Sequence, residues 1–176
     1  DRLFYMKNFG IKSELEVIGI GTNAKMNEVQ AAFGQLVLEL VQEEIQHRKE
    51  RTERYIQQLQ DIPGIYIPRP AADVTYNYQY FPMVIDPAIA GFSRDDVYEK
   101  LKEHKIFSRK YFYPLLSNTQ VYRHLPSSDA ALLPVATSIA EQVLCLPMYG
   151  ALPMTAVDTI CDILHTLSKD RHVPNV

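Results

Sequence analysis

Residues 21–34 read Gly21-Thr22-Asn23-Ala24-Lys25-Met26-Asn27-Glu28-Val29-Gln30-Ala31-Ala32-Phe33-Gly34, and the organisation of the chain follows from them. Gly19 and Gly21 punctuate a turn. Asn27 suits a helix N-cap, and Gln30 stands where it would close a capping box. Val29, Phe33, Leu36, Val37, Leu40 and Val41 then recur at spacings of three and four, one apolar stripe of a helix. Tyr55, Ile56 and Leu59 resume the stripe. The spacing therefore predicts one long helix over 27–60, closed by Pro63-Gly64. A glycine turn ahead of a helix start offers free backbone N–H groups and the positive end of the helix dipole. With Asn23 and Lys25 as further donors, the combination suits a phosphate. An ordinary capped helix would give the same pattern.

Composition narrows the classes around this helix. Across 176 residues, Lys plus Arg number 18 and Asp plus Glu 21. The net charge of −3 excludes a strongly basic nucleic-acid binder. An apolar fraction of 47% against 22% charged excludes a disordered chain. Cys145 and Cys161 are too few for a disulfide scaffold, and their apolar neighbours suit reduced core thiols in a cytosolic protein. No apolar run approaches a membrane span, and the opening Asp1-Arg2-Leu3-Phe4-Tyr5 lacks the pattern of a signal peptide, so a cytoplasmic location is expected. The chain opens at Asp1 without a methionine, as a processed piece, an expressed segment or the ordered remainder of something longer would.

Outward from the helix, residues 1–20 read as irregular or weakly strand-like. His47 to Arg54 suggests a basic patch, but Glu44–Arg48 and Glu50–Arg54 are expected as i, i+4 pairs on a solvated face. Residues 65–67 form a short strand candidate. Tyr76 to Phe81 alternates as a half-buried strand does and continues through Met83-Val84-Ile85, with Pro82 marking an interruption or an edge. Ser93-Arg94-Asp95-Asp96 opens a helix ending near His104-Lys105. Residues 106–113 read as another strand, stopped by Pro114, and 117–129 as a polar loop. A helix starts at Leu133-Pro134, carries Ile139, Ala140 and Val143, and closes at Leu146-Pro147. Thr155-Ala156-Val157-Asp158 looks like a capping box for a last helix striped by Val157, Ile160, Leu164 and Leu167, with 169–176 as a frayed tail. The expected fold class is α+β: a long helix, then a small unit of about three strands and three helices.

Chemistry is sparse. There is no P-loop, and Gly19-Ile20-Gly21 lacks the third glycine of a dinucleotide fingerprint. His47, His104, His124, His165 and His172 have no zinc spacing, and no metal site is expected. Ser108 and Ser117 have no identifiable base. Arg109-Lys110-Tyr111-Phe112-Tyr113-Pro114 stands out, because three aromatics beside two cations exceed what one buried strand face needs. Such a surface can bind a sugar nucleotide by stacking and charge-assisted hydrogen bonds. A strand with one face in the core would account for the same residues.

Together, the run Gly21 to Gly34 resembles the G-x-N-x-[RK]-M-x-E-x-Q-A-A-x-G signature of the DegT/DnrJ/EryC1/StrS aminotransferases. Arg109 to Leu115 resembles the A-R-[RK]-Y-F-Y-P-L of one branch, as do Leu133-Pro134-Val135-Ala136 and Val143 to Tyr149. That branch includes the dTDP-4-amino-4,6-dideoxyglucose transaminases. The likeness runs from about Leu3 to Leu167.

The resemblance implies a pyridoxal-5'-phosphate enzyme of aminotransferase fold type I that moves an amino group, from glutamate, to a nucleotide-linked 4-keto-6-deoxy sugar. It implies that the Schiff-base lysine lies upstream, so that this chain alone is inactive and carries no catalytic lysine. The expected organisation is 1–26 as the end of the large domain, 27–60 as the connecting helix, 61–168 as the small C-terminal α+β domain and 169–176 as the tail. Asn23 is expected to reach the cofactor phosphate of the neighbouring subunit in a homodimer. Lys25, Arg109, Tyr111 and Tyr113 are expected to line the sugar-nucleotide site. Phe112 stands where many members have histidine, while Tyr113 keeps the hydroxyl. The alternative is a non-catalytic dimerisation or sugar-nucleotide-binding module of the same ancestry. As a fragment, the chain is expected to expose Val29, Phe33 and Leu36.

Overall fold

The computed structural model describes residues 2–171, and the chain divides into two compact units, Asp1–Gln42 and Glu43–Val176. His172 and the end of the expected tail lie outside the described residues; residues 169–171 continue the last helix rather than fraying.

The first unit holds helix α1 (Arg2–Met6) and a two-stranded hairpin, β1 (Ile11–Ser13) and β2 (Glu16–Val17). The stretch expected to be irregular or strand-like therefore begins with a helical turn. Gly10 has φ 76°, and a Cβ there would run into the Gly19 carbonyl, so the hairpin closes only around glycine. Helix α2 (Glu28–Leu59) follows. The Gln30 N–H donates to Asn27 Oδ1 at 2.9 Å, as expected of an N-cap. Apolar residues of its first half are exposed, among them Val29, Phe33 (67% accessible), Leu36 and Leu40. Its last turns are different, with Tyr55 and Leu59 fully buried.

Those last turns cover the sheet of the second unit. β3 (Ile65–Tyr66), β4 (Phe81–Ile85) and β5 (Val143–Leu146) form an antiparallel sheet with β4 at its centre. Phe81, Met83 and Ile85 alternate into the core, as period-two strand geometry requires. They meet Tyr55 and Leu59, Val97 and Leu101 of helix α4 (Arg94–Glu103), and Val157, Ile160 and Leu164 of helix α6 (Met154–Arg171). The short helix α3 (Pro87–Ala90) joins β4 to α4, and helix α5 (Pro134–Gln142) leads into β5. The architecture is α+β.

Several expectations about elements need correction. The third strand is 143–146, not 106–113. Val143-Leu144-Cys145-Leu146 is buried at every position, the mark of a strand covered on both faces, and the helical reading absorbed it into α5. Residues 106–113 contribute one rung, in which Arg109 and Cys145 exchange N–H···O bonds of 3.0 and 2.8 Å. Beyond it the backbone turns on itself, Tyr113 N–H donating to the Lys110 carbonyl. Residues 76–80 form no strand, because Leu146 opposite Phe81 is followed by Pro147, which has no N–H to extend the ladder.

Pro82 lies in the central strand rather than at an edge. It stands opposite Cys145, whose own backbone groups face Arg109. The missing N–H of Pro82 therefore points to the other side, where β3 has ended at Tyr66. Neither expected Glu–Arg pair on α2 forms. Arg48 Nε donates to the Glu44 carbonyl, and Arg54 Nε reaches Asp158 at 2.8 Å. Asp158, expected in a cap, instead takes Arg54 and Gln58 (2.5 Å) and pins α6 to α2. The Ser93–Asp96 capping box forms in full.

Candidate functional site

The segment 109–114 is organised by the first turn of α4. Ser93 is the N-cap, so Arg94 and Asp95 are the first two helical residues. Arg94 is 4% exposed. Its Nε donates to Asp95 Oδ1 at 2.7 Å, and one terminal nitrogen donates to the Ala140 and Val143 carbonyls at 2.8 and 3.4 Å. These carbonyls lie at the C-terminal end of α5, where the helix dipole favours a cation. The guanidinium also lies over the Tyr113 ring, 4.9 Å from its centroid. Lys110 Nζ sits 2.7 Å from Asp95 Oδ1 and 4.4 Å above the Tyr98 ring. The Lys110 hydrogen bond holds the Asp95 carboxyl below the usual carboxylate range, with Arg94 adding to the effect and partial burial opposing it.

Arg109 and Tyr111 form a wall between two hollows. A guanidinium nitrogen of Arg109 donates to the Tyr111 hydroxyl, and the group lies 5.4 Å from the ring centroid. Tyr80 meets the Tyr111 ring edge-on at 5.5 Å, and Phe112 packs on it at 4.8 Å. On one side lies a groove of about 450 Å³, bounded by Glu44 and Arg48 of α2, Tyr80 and the 147–150 loop. On the other lies a hollow of about 440 Å³, bounded by Tyr98, Ser108, Lys110, Phe112 and Tyr113. Aromatic faces, cations and hydroxyls around such spaces suit a polyhydroxylated, anionic ligand.

Ser108 Oγ is buried with no hydrogen-bond partner. Cys145 and Cys161 are buried and unbridged. Burial raises the Cys145 thiol, and it pushes Cys161 up to about 12 with help from Asp158 and Asp162. Both stay protonated near neutrality, which removes them as nucleophiles.

The expected site residues fall in both units. Arg109, Tyr111 and Tyr113 come together as described. Asn23 and Lys25 belong to the N-terminal unit. Asn23 forms an isolated antiparallel bridge with Asn8, and its side chain is exposed. Lys25 Nζ lies 5.8 Å from the Phe9 ring centroid. Sequence reasoning missed Arg94, Asp95 and Tyr98, because Ser93 to Asp96 reads as a cap and nothing more. The available signal was the sign of the charge: a cation in the first turn opposes the helix dipole and needs another reason to be there.

The DegT/DnrJ/EryC1/StrS aminotransferase family model matches residues 1–165. The chain is 44% identical over 163 residues to a dTDP-4-amino-4,6-dideoxy-D-glucose transaminase of Escherichia coli, covering 93% of this chain and 44% of that protein. It is 35% identical over 167 residues to the protein of the same name from Shigella dysenteriae, covering 95% and 45%. Among solved structures, that of DesI in the presence of its TDP-sugar product matches with a TM-score of 0.80 at 30% identity, covering 97% of this chain and 43% of that one. The chain thus spans under half the length of the curated relatives it matches, and the part matched is their C-terminal part. No described helix is long and apolar enough to cross a membrane.

Proposed function

The chain belongs to the DegT/DnrJ/EryC1/StrS aminotransferase family, and from that membership we propose that it is the C-terminal part of a pyridoxal-phosphate enzyme that transfers an amino group from glutamate to a nucleotide-linked 4-keto-6-deoxy sugar. The observation that carries this reading is the 44% identity to the E. coli transaminase across 93% of the chain. The wall of Arg109 and Tyr111 with Tyr113 beside it supports a sugar site, since it presents phenolic hydroxyls, ring faces and fixed cations.

The residues present fit the cofactor's phosphate end. The exposed Asn23 carboxamide has N–H donors for a phosphate oxygen, and Lys25, two residues on, adds charge. Asn23 serves the cofactor of the partner subunit in a homodimer, and Lys25 lines the sugar-nucleotide site. When bound, the cofactor supplies the electron sink for the reaction. This chain supplies binding and orientation. Tyr113 donates its hydroxyl to the sugar, Tyr111 offers a ring face, and Arg109 fixes the Tyr111 hydroxyl while presenting charge to the nucleotide.

Two measurements test the reading. The 176-residue chain, mixed with pyridoxal phosphate and reduced with borohydride, should show no stoichiometric adduct by mass spectrometry. An adduct on one of its lysines would place the Schiff-base lysine here and overturn its placement upstream. The complete gene product carrying this sequence should aminate dTDP-4-keto-6-deoxyglucose with glutamate, and no turnover by a folded, cofactor-loaded protein would end the substrate assignment.

A further inference from the structure

A guanidinium placed at 94 needs an explanation. It is buried, it belongs to the first turn of α4, where the helix dipole disfavours a cation, and burial of a charge is costly unless its donors are satisfied. Arg94 meets that cost through four neighbours. Asp95 supplies the counter-charge, the Ala140 and Val143 carbonyls take its hydrogen bonds, and the Tyr113 ring takes its face. Of these, the contact to Tyr113 leads to the hollow described above, because Tyr113 is half-exposed and borders it. Asp95 also holds Lys110, so two adjacent residues of α4 grip the segment at 110 and at 113.

We infer that Arg94 is a positioning residue: its guanidinium, anchored on the end of α5 and on Asp95, fixes the plane of the Tyr113 ring and thereby aims the Tyr113 hydroxyl at the sugar. The aim at a sugar rests on the function proposed above; the control of the ring does not. A half-exposed tyrosine on an irregular segment otherwise rotates about two side-chain bonds and loses that freedom on binding. Stacking on a planar, immobile cation removes much of the cost in advance. Lysine cannot replace it, since an ammonium lacks both the flat face and the separate nitrogens that hold Asp95 and the α5 carbonyls at once.

Two experiments separate these layers. In the 176-residue chain with ¹³C-labelled tyrosine, Arg94→Lys and Arg94→Met should both shift the Tyr113 ring resonances while leaving those of the distant Tyr66 in place. Asp95→Asn, which keeps the guanidinium, should move them less. Unmoved Tyr113 signals in a folded Arg94→Lys chain would overturn the inference whatever the enzyme does.

In the complete gene product, Arg94→Lys should raise KM for the nucleotide sugar about tenfold and leave KM for glutamate unchanged. Added to Tyr113→Phe it should cost almost nothing more, because both changes remove one directed hydroxyl. A full additive loss in the double variant, or an unchanged KM in an active Arg94→Lys enzyme, would refute the positioning role. An inactive wild type would instead refute the functional reading and leave the ring measurement to decide.

Discussion

Ser108 carries a buried hydroxyl that has no hydrogen-bond partner among the described residues. An unpaired buried hydroxyl keeps its desolvation cost and returns no hydrogen bond. Ser108→Ala should therefore leave stability unchanged or raise it by about 1 kcal/mol, read as a higher urea midpoint at constant slope. Asp95 makes the opposite case. Its pKa is lower folded than unfolded, so the folded chain releases this proton more readily. The resulting stability is complete above the ordinary carboxylate range and is lost as pH falls through the depressed value. With 60% of the side chain exposed, solvent screening keeps it under about 1 kcal/mol. Asp95→Asn should thus lower the urea midpoint at neutral pH, and the gap to wild type should close progressively in acid.

The glycines of the second unit separate two kinds of constraint at the scale of elements. Gly64 turns the chain from α2 into β3 with φ 78°, and a Cβ there would collide with the backbone nitrogen of Ala90. Gly64→Ala should cost about 1–3 kcal/mol in thermal or urea unfolding. At Gly150 the nearest obstacle is the carboxylate end of Glu44, a side chain that can swing away. Gly150→Ala should stay within about 0.5 kcal/mol of wild type. Elements were legible in the sequence where one residue type forces one conformation: the Asn27 cap, the Ser93–Asp96 box, the stop at Pro63-Gly64. They were illegible where pairing decides. Neither the turn at 110–113 nor the strand at 143–146 can be read without knowing that Pro147 ends the ladder and that Arg109 uses the free edge of Cys145. The candidate site divides the same way. Arg109, Tyr111 and Tyr113 stand out as a cluster of aromatics and cations, while Arg94 and Asp95 act from a helix start whose partners are 15–49 residues away in the chain.

Across the whole molecule, the first half of α2 presents Val29, Phe33, Leu36 and Leu40 to solvent, a stripe that chains of this kind tend to cover. In the proposed homodimer it would meet other protein. The 176-residue chain should accordingly sediment with rising apparent mass as concentration increases, and Phe33→Glu should return it toward a monomer without altering the urea midpoint. The contrast between the two halves of that helix has a further consequence in time. Its backbone hydrogen bonds run unbroken from end to end, yet only the C-terminal turns are held by Tyr55, Leu59, and the Arg54–Asp158 and Gln58–Asp158 bonds. Amide protons up to about Gln42 should exchange with deuterium through local opening, orders of magnitude faster than those after Arg51, which wait for the core to unfold. One continuous rod should thus keep two clocks.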